Sequence, residues 1–223
     1  ERLEAAVVLI KDGLLDEAER VLAEIEGQAS AGRKKAVTGY LAAQRGQCDR
    51  EKELLNDALA DAVSRIQRLG YVGCLHDNVQ DMYADAKSFD LSFIEKDANG
   101  NPKKGGRWLG GRAWMVCAPK QLELAERPQN LPEISNLFKP WSYFIDTTYA
   151  VGPRECHDPN HPIDRNGDIA WKIRLSDYAR EQFGIFGSEC GREWALPHSD
   201  FFDGLVAVSG RYYHNLKPEE LGA

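Results

Sequence analysis

From Gly70 onward, short apolar runs of strand length alternate with helical patterns, and each run closes on polar residues. Residues 71–75 lead into His76-Asp77-Asn78. Residues 141–145 lead into Asp146-Thr147-Thr148-Tyr149, and 184–187 lead into Ser188-Glu189. A further run, 113–117, precedes Pro119, a residue suited to a first helical turn, and 169–183 is amphipathic at helical spacing. A parallel sheet with helical returns and a site at the strands' carboxyl ends satisfies that order. A complete barrel takes eight units and roughly 250 residues, whereas three or four units fit after Gly70. The expected class is therefore α/β: a partial (β/α)8 TIM-barrel-like domain over 63–223, with an open α/β sheet as the alternative. The chain starts at Glu1, and the expectation is a piece of a longer parent. The compartment stays open, extracytoplasmic if that parent carries a signal peptide.

Residues 1–62 read as a separate helical segment. Leu3, Val7 and Ile10, then Leu14, Ala18, Val21, Leu22 and Ile25, recur at helical spacing, and runs at 33–45 and 49–69 follow. Gly13-Leu14-Leu15-Asp16-Glu17 aligns with Gly46-Gln47-Cys48-Asp49-Arg50, an offset that resembles tetratricopeptide helical hairpins. Such helices offer a surface for a protein partner, or simply pack beside the barrel. The net charge of −7 argues against nucleic acid as the partner, because phosphate binding needs a basic face. No run of 18 apolar residues exists, so no membrane span is expected.

Asp146 and Glu189 each follow a strand of the expected sheet. Adjacent parallel strands lie about 4.8 Å apart, so carboxylates at neighbouring tips face one pocket at about 5–6 Å. A retaining glycosidase needs that separation: one carboxylate is nucleophile, and the other is acid and base at an oxocarbenium-like transition state. Acidic residues also end strands merely because loops are polar. The aromatics Trp108, Trp114, Tyr149, Trp194, Tyr212 and Tyr213 offer faces for sugar rings, while Trp141 at a strand start is expected in the core. His76, Asp77 and Asn78 are placed to hydrogen-bond sugar hydroxyls, Arg192 to orient a carboxylate, and His198 and Asp200 to line the loop after Glu189. The candidate substrate-binding set is thus His76, Asp77, Asn78, Trp114, Tyr149, Arg192, His198 and Asp200.

Three rival chemistries are open to these residues. Cys156, His157 and His161 with Cys190 or His198 contain zinc-type ligands, but adjacent Cys and His side chains diverge and no Cys-x-x-Cys pair is present. The segment 164–168 resembles part of a calcium loop without its downstream glutamate, and reads rather as a turn. A Cys190–His198 protease pair lacks an oxyanion-hole signature. No metal or other cofactor is expected for the chemistry. The five cysteines read mostly as free thiols, with a Cys156–Cys190 disulfide left open for an oxidising compartment.

The runs Phe186-Gly187-Ser188-Glu189-Cys190-Gly191-Arg192-Glu193-Trp194-Ala195-Leu196-Pro197-His198-Ser199-Asp200 and Phe144-Ile145-Asp146-Thr147-Thr148-Tyr149, the latter followed by Glu155-Cys156-His157-Asp158-Pro159-Asn160-His161-Pro162, with His76-Asp77-Asn78 and Asp81-Met82-Tyr83, resemble bacterial glycosidase-like barrel proteins. More broadly they are similar to endo-α-N-acetylgalactosaminidase and α-amylase-type barrels. That resemblance covers about residues 70–210, and it implies Asp146 as nucleophile, Glu189 as acid/base and an oligosaccharide or glycan as substrate. The arginine of amylase-type barrels two residues before the nucleophile is Phe144 here. The second expectation, from a different class, is a non-catalytic carbohydrate-binding or scaffold protein whose helices hold a partner.

Overall fold

The computed structural model describes residues 1–25, 31–108 and 110–205. They fall into two compact units, one of Glu1–Gly73 with Ile134–Pro140, the other of Cys74–Glu133 with Trp141 onward. The first unit is helical: α1 (Arg2–Lys11), α2 (Leu15–Ala23), α3 (Ala31–Gln44) and α4 (Cys48–Arg68). Its apolar stripes meet at Ala6, Ile10, Ala18, Leu22 and Leu41. Gly13 and Gly46, the residues aligned in the sequence, turn the chain after α1 and α3 at φ 77 and 70, a left-handed conformation that glycine adopts without a Cβ clash. The helices are therefore paired as hairpins. Their second members differ in length, 9 residues in α2 against 21 in α4, so the even repeat of a tetratricopeptide array is not kept. The 62/63 boundary expected from the sequence falls inside α4, and the division of the chain lies at Gly73.

The second unit runs, in chain order, β1 (Cys74–Asp77), β2 (Asp81–Tyr83), β3 (Lys104–Trp108), β4 (Gly111–Met115), α5 (Ala118–Ala125), α6 (Leu131–Phe138, shared with the first unit), β5 (Ser142–Ile145), α7 (Arg165–Phe183), β6 (Ile185–Gly191) and β7 (Phe201–Leu205). The sheet that matters for the site has the order β1-β5-β6-β7, with every neighbouring pair parallel. The run at 113–117, expected as another parallel unit, belongs instead to a separate antiparallel sheet ordered β2-β4-β3. The leading strand also starts later than expected. Tyr71 and Val72 are exposed, and pairing begins at Cys74. Trp141, expected in the core, is half exposed at 50%.

Side chains alternate across the parallel sheet and give its two faces different work. Tyr143, Ile145 and Phe186 are fully buried on one face, and the Tyr143 ring stacks on Phe183 of α7 at 4.2 Å. Asp164 caps α7 by accepting from the Gly167 amide at 2.7 Å, so the segment 164–168, which only partly resembles a calcium loop, is a helix start. The opposite face carries His76, Phe144, Gly187 and Phe201 in register. Phe144 sits edge-on to His76 at 5.1 Å and stacks near Phe201 at 6.1 Å. A Cβ on Gly187 would lie 2.4 Å from the Phe201 ring, so glycine is what lets β6 and β7 close at this level.

Candidate active site

Two residues beyond that aromatic floor, on the same face, lies the row of strand tips. Ile145 pairs with Ser188 in the β5–β6 register, which puts Asp146 level with Glu189; Glu189 in turn pairs with Asp203 of β7. On the other side Asp77 pairs with Ile145, and the Asp146 amide donates to the Asp77 carbonyl at 2.8 Å, which sets Asn78 beside Asp146. Four neighbouring strands thus deliver Asn78, Asp146, Glu189 and Asp203 at one height. Asn78, Asp146 and Glu189 open into a cleft of about 710 Å³, with Asp81, Trp108 and Arg154 among its other walls.

The backbone turns sharply after both central carboxylates. Thr147 has φ 59 and Cys190 φ 62, a left-handed conformation that is strained for a residue with a Cβ, most of all for a β-branched one. Thr147 and Thr148 hydroxyls donate to the Asp146 and Ile145 carbonyls at 2.7 and 3.2 Å, and the Ser188 hydroxyl donates to Ile145 at 2.6 Å. These bonds hold the turn that aims Asp146.

Electrostatics separate the carboxyls. Burial pushes Glu189 above the ordinary glutamate range, and the charges of Asp146 and Asp203 push in the same direction. Asp81 is also raised, first by burial; the Arg154 guanidinium works against that and Asp146 adds to it. Arg154 is itself 9% exposed. Its Nε lies 2.9 Å from Glu95 Oε2, out of line for a hydrogen bond, and its Nη1 donates to Gln80 at 3.3 Å. Lys103 pairs with the other Glu95 oxygen at 3.0 Å. Arg154 Nη2 is buried with no hydrogen-bond partner among the described residues, on a side chain that lines the cleft.

Of the residues expected at the site, the structure brings Asp146, Glu189 and Asn78 together. His76 lies one level below, in the floor. Asp77 turns away, accepting from the Tyr143 hydroxyl at 3.2 Å and from the Asn78 amide at 2.7 Å. Trp114 packs beside Met82 and Phe93 with Lys104 over its ring. Tyr149 is fully buried, its hydroxyl bonded to Ser176 and Ser199, with Trp194 edge-on at 5.3 Å. Arg192 donates to the Tyr149 and Ala150 carbonyls at 2.5 and 3.3 Å, clamping the loop after Asp146. His198 pairs with Asp177 at 2.7 Å, which takes it out of any Cys190 dyad. Asp200 accepts from Arg180 at 2.8 Å and from the Phe186 amide at 2.9 Å. All five cysteines are free, so Cys156 and Cys190 are not bridged. Tyr212 and Tyr213 lie outside the described residues. Sequence reasoning passed over Arg154 and Asp203 and did not assign Asp81 a role; the acidic tip of β7 is the one that alternation could have shown.

The sequence matches no family model and no curated protein. The fold has solved relatives. The ligand-free α-N-acetylgalactosaminidase NagBb of Bifidobacterium bifidum superposes with a TM-score of 0.61 at 21% identity, over 66% of this chain and 24% of that one. Its Gal-NHAc-DNJ complex gives a TM-score of 0.62 at 22% identity, over 66% and 23%. The quadruple mutant gives 0.61 at 21% identity, over 76% and 26%. The chain thus spans about a quarter of these relatives' length, and at this identity what it shares with them is the fold: the arrangement of part of a glycoside hydrolase.

Proposed function

We propose that the protein is a retaining glycoside hydrolase of oligosaccharides or glycans, with Asp146 as nucleophile and Glu189 as acid/base. The observation that carries the reading is the register: two carboxylates at matched tips of adjacent parallel strands, opening into one cleft. Strands about 4.8 Å apart suit the separation of about 5–5.5 Å used in retention.

In the first step an Asp146 oxygen attacks the anomeric carbon, the glycosidic C–O bond breaks, and the Glu189 proton goes to the leaving oxygen. In the second, water attacks the same carbon, gives its proton to the Glu189 carboxylate, and displaces Asp146. The raised Glu189 carboxyl suits the proton donor's role. Trp108, 66% exposed at the cleft wall, offers a ring face to the sugar. Asn78, which lines the cleft, offers an amide to its oxygens.

The test is hydrolysis of a panel of activated aryl glycosides by wild type beside Asp146→Asn and Glu189→Gln. The name of the B. bifidum relative puts α-N-acetylgalactosaminides first in that panel. Release of one sugar by wild type, lost in both variants by ~10²-fold or more, supports the reading. A folded wild type that is inert on every sugar removes it. Glycan binding without turnover would then favour the carbohydrate-binding alternative.

A further inference from the structure

Away from the cleft, the fold assembles a cluster that the sequence scatters. Cys117 ends the segment after β4 and caps α5, while Cys156 and His161 lie on the long loop between β5 and α7. All three are buried, and their ligand atoms lie within 4.8 Å of one another. Cys156 Sγ is 3.5 Å from His161 Nδ1. A tetrahedral zinc centre, with Zn–S of about 2.3 Å and Zn–N of about 2.1 Å, holds its ligand atoms about 3.5–3.8 Å apart. The cluster therefore needs less than about 1.5 Å of closure to reach that spacing.

The surroundings point the same way. His161 Nε2 lies 2.7 Å from the Ser92 carbonyl, which can only accept, so the ring proton sits on Nε2 and the Nδ1 lone pair faces the thiols. Metal-bound histidines are oriented by this kind of outer bond. The set differs from the one weighed in the sequence. His157 points outward to Glu155 at 3.7 Å, and Cys117 takes its place.

We propose that Cys117, Cys156 and His161 form a structural site for a thiophilic divalent cation of the zinc class, completed by one solvent or exogenous ligand. Two thiolates and a neutral imidazole bring a divalent ion to zero net charge, which is what a buried site requires. Binding releases the Cys117 thiol proton from its contact with the His161 carbonyl at 3.7 Å. Of the three, His161 also borders a surface cavity, with Asn160 and Trp171. Its effect is to staple the loop that carries Arg154 to the base of α5, and so to stiffen one wall of the cleft.

The experiment is a Co²⁺ titration of the whole, reduced and folded chain, followed by Zn²⁺ competition. Expected are one Co²⁺ per chain, a thiolate-to-cobalt charge-transfer band, intense tetrahedral ligand-field bands, and their loss on adding Zn²⁺. Cys117→Ser and Cys156→Ser each lower the charge-transfer intensity by about half or more, the Cys117→Ser/Cys156→Ser pair removes it, His161→Gln weakens Co²⁺ binding by about 10-fold or more, and Cys190→Ser changes none of these. A folded, fully reduced wild type with no charge-transfer band overturns the site, independently of whether any variant folds. So does a band that survives the Cys117→Ser/Cys156→Ser pair, and so does a Cys117–Cys156 disulfide that persists in strong reductant.

Discussion

Glu189 is the residue whose titration reports on the site. In the proposed mechanism its neutral form is the proton donor, so kcat/KM is expected to fall as pH rises through its raised pKa. Removing the Asp203 charge with Asp203→Asn should move that alkaline limb to lower pH, read from the kcat/KM profile; an unmoved limb would take the proton donor's role from Glu189. The same shift has a stability consequence of defined sign. A carboxyl raised in the folded state binds its proton more tightly there than in the unfolded chain, so its contribution is present at low pH and is lost as pH rises through the folded pKa. Glu189→Gln should match wild type in acid and exceed it at neutral pH in denaturant unfolding, while losing turnover. At Thr147, relief of left-handed strain by Thr147→Gly offsets glycine's backbone entropy, and the net change is expected within about 1 kcal/mol. The freed turn no longer aims Asp146, and kcat should drop by about 10-fold or more with KM little changed.

Among the elements, the β6–β7 pair is held to tight tolerance by one missing methyl. Gly187→Ala places a Cβ against the Phe201 ring, and the overpacking should cost about 1–3 kcal/mol in urea unfolding. Phe201→Leu in the same chain should restore part of it, whereas equal losses in single and double variants would assign the cost elsewhere. The legibility of these elements in the sequence follows from their physics. β5 and β6 stood out because an apolar run buried on one face ends at a polar tip, and that contrast located Asp146 and Glu189. β2 was unreadable: Asp81-Met82-Tyr83 is three residues of mixed polarity. Arg154 sits in a loop with no periodicity, and its importance comes from Glu95 and Gln80, which only folding brings near. The cysteine–histidine cluster was hidden for the same reason. Metal ligands are found in sequence by short spacing, and Cys117 is remote from its partners.

For the whole molecule, the division into two units predicts that core damage in one leaves the other's chemistry alone. Leu22→Ala empties a buried position of the helical core and should cost about 2–5 kcal/mol there, measured by circular dichroism in denaturant. Aryl-glycoside turnover by the folded variant should stay at the wild-type value. A proportional loss of turnover would mean that the helices support the cleft. The row of strand tips has a last consequence, for inhibition. Asp146, Glu189 and Asp203 concentrate negative potential along one line, in a chain already acidic overall. A sugar mimic with a protonated ring nitrogen would be held there more firmly than its neutral counterpart, and its grip would weaken as ionic strength rises.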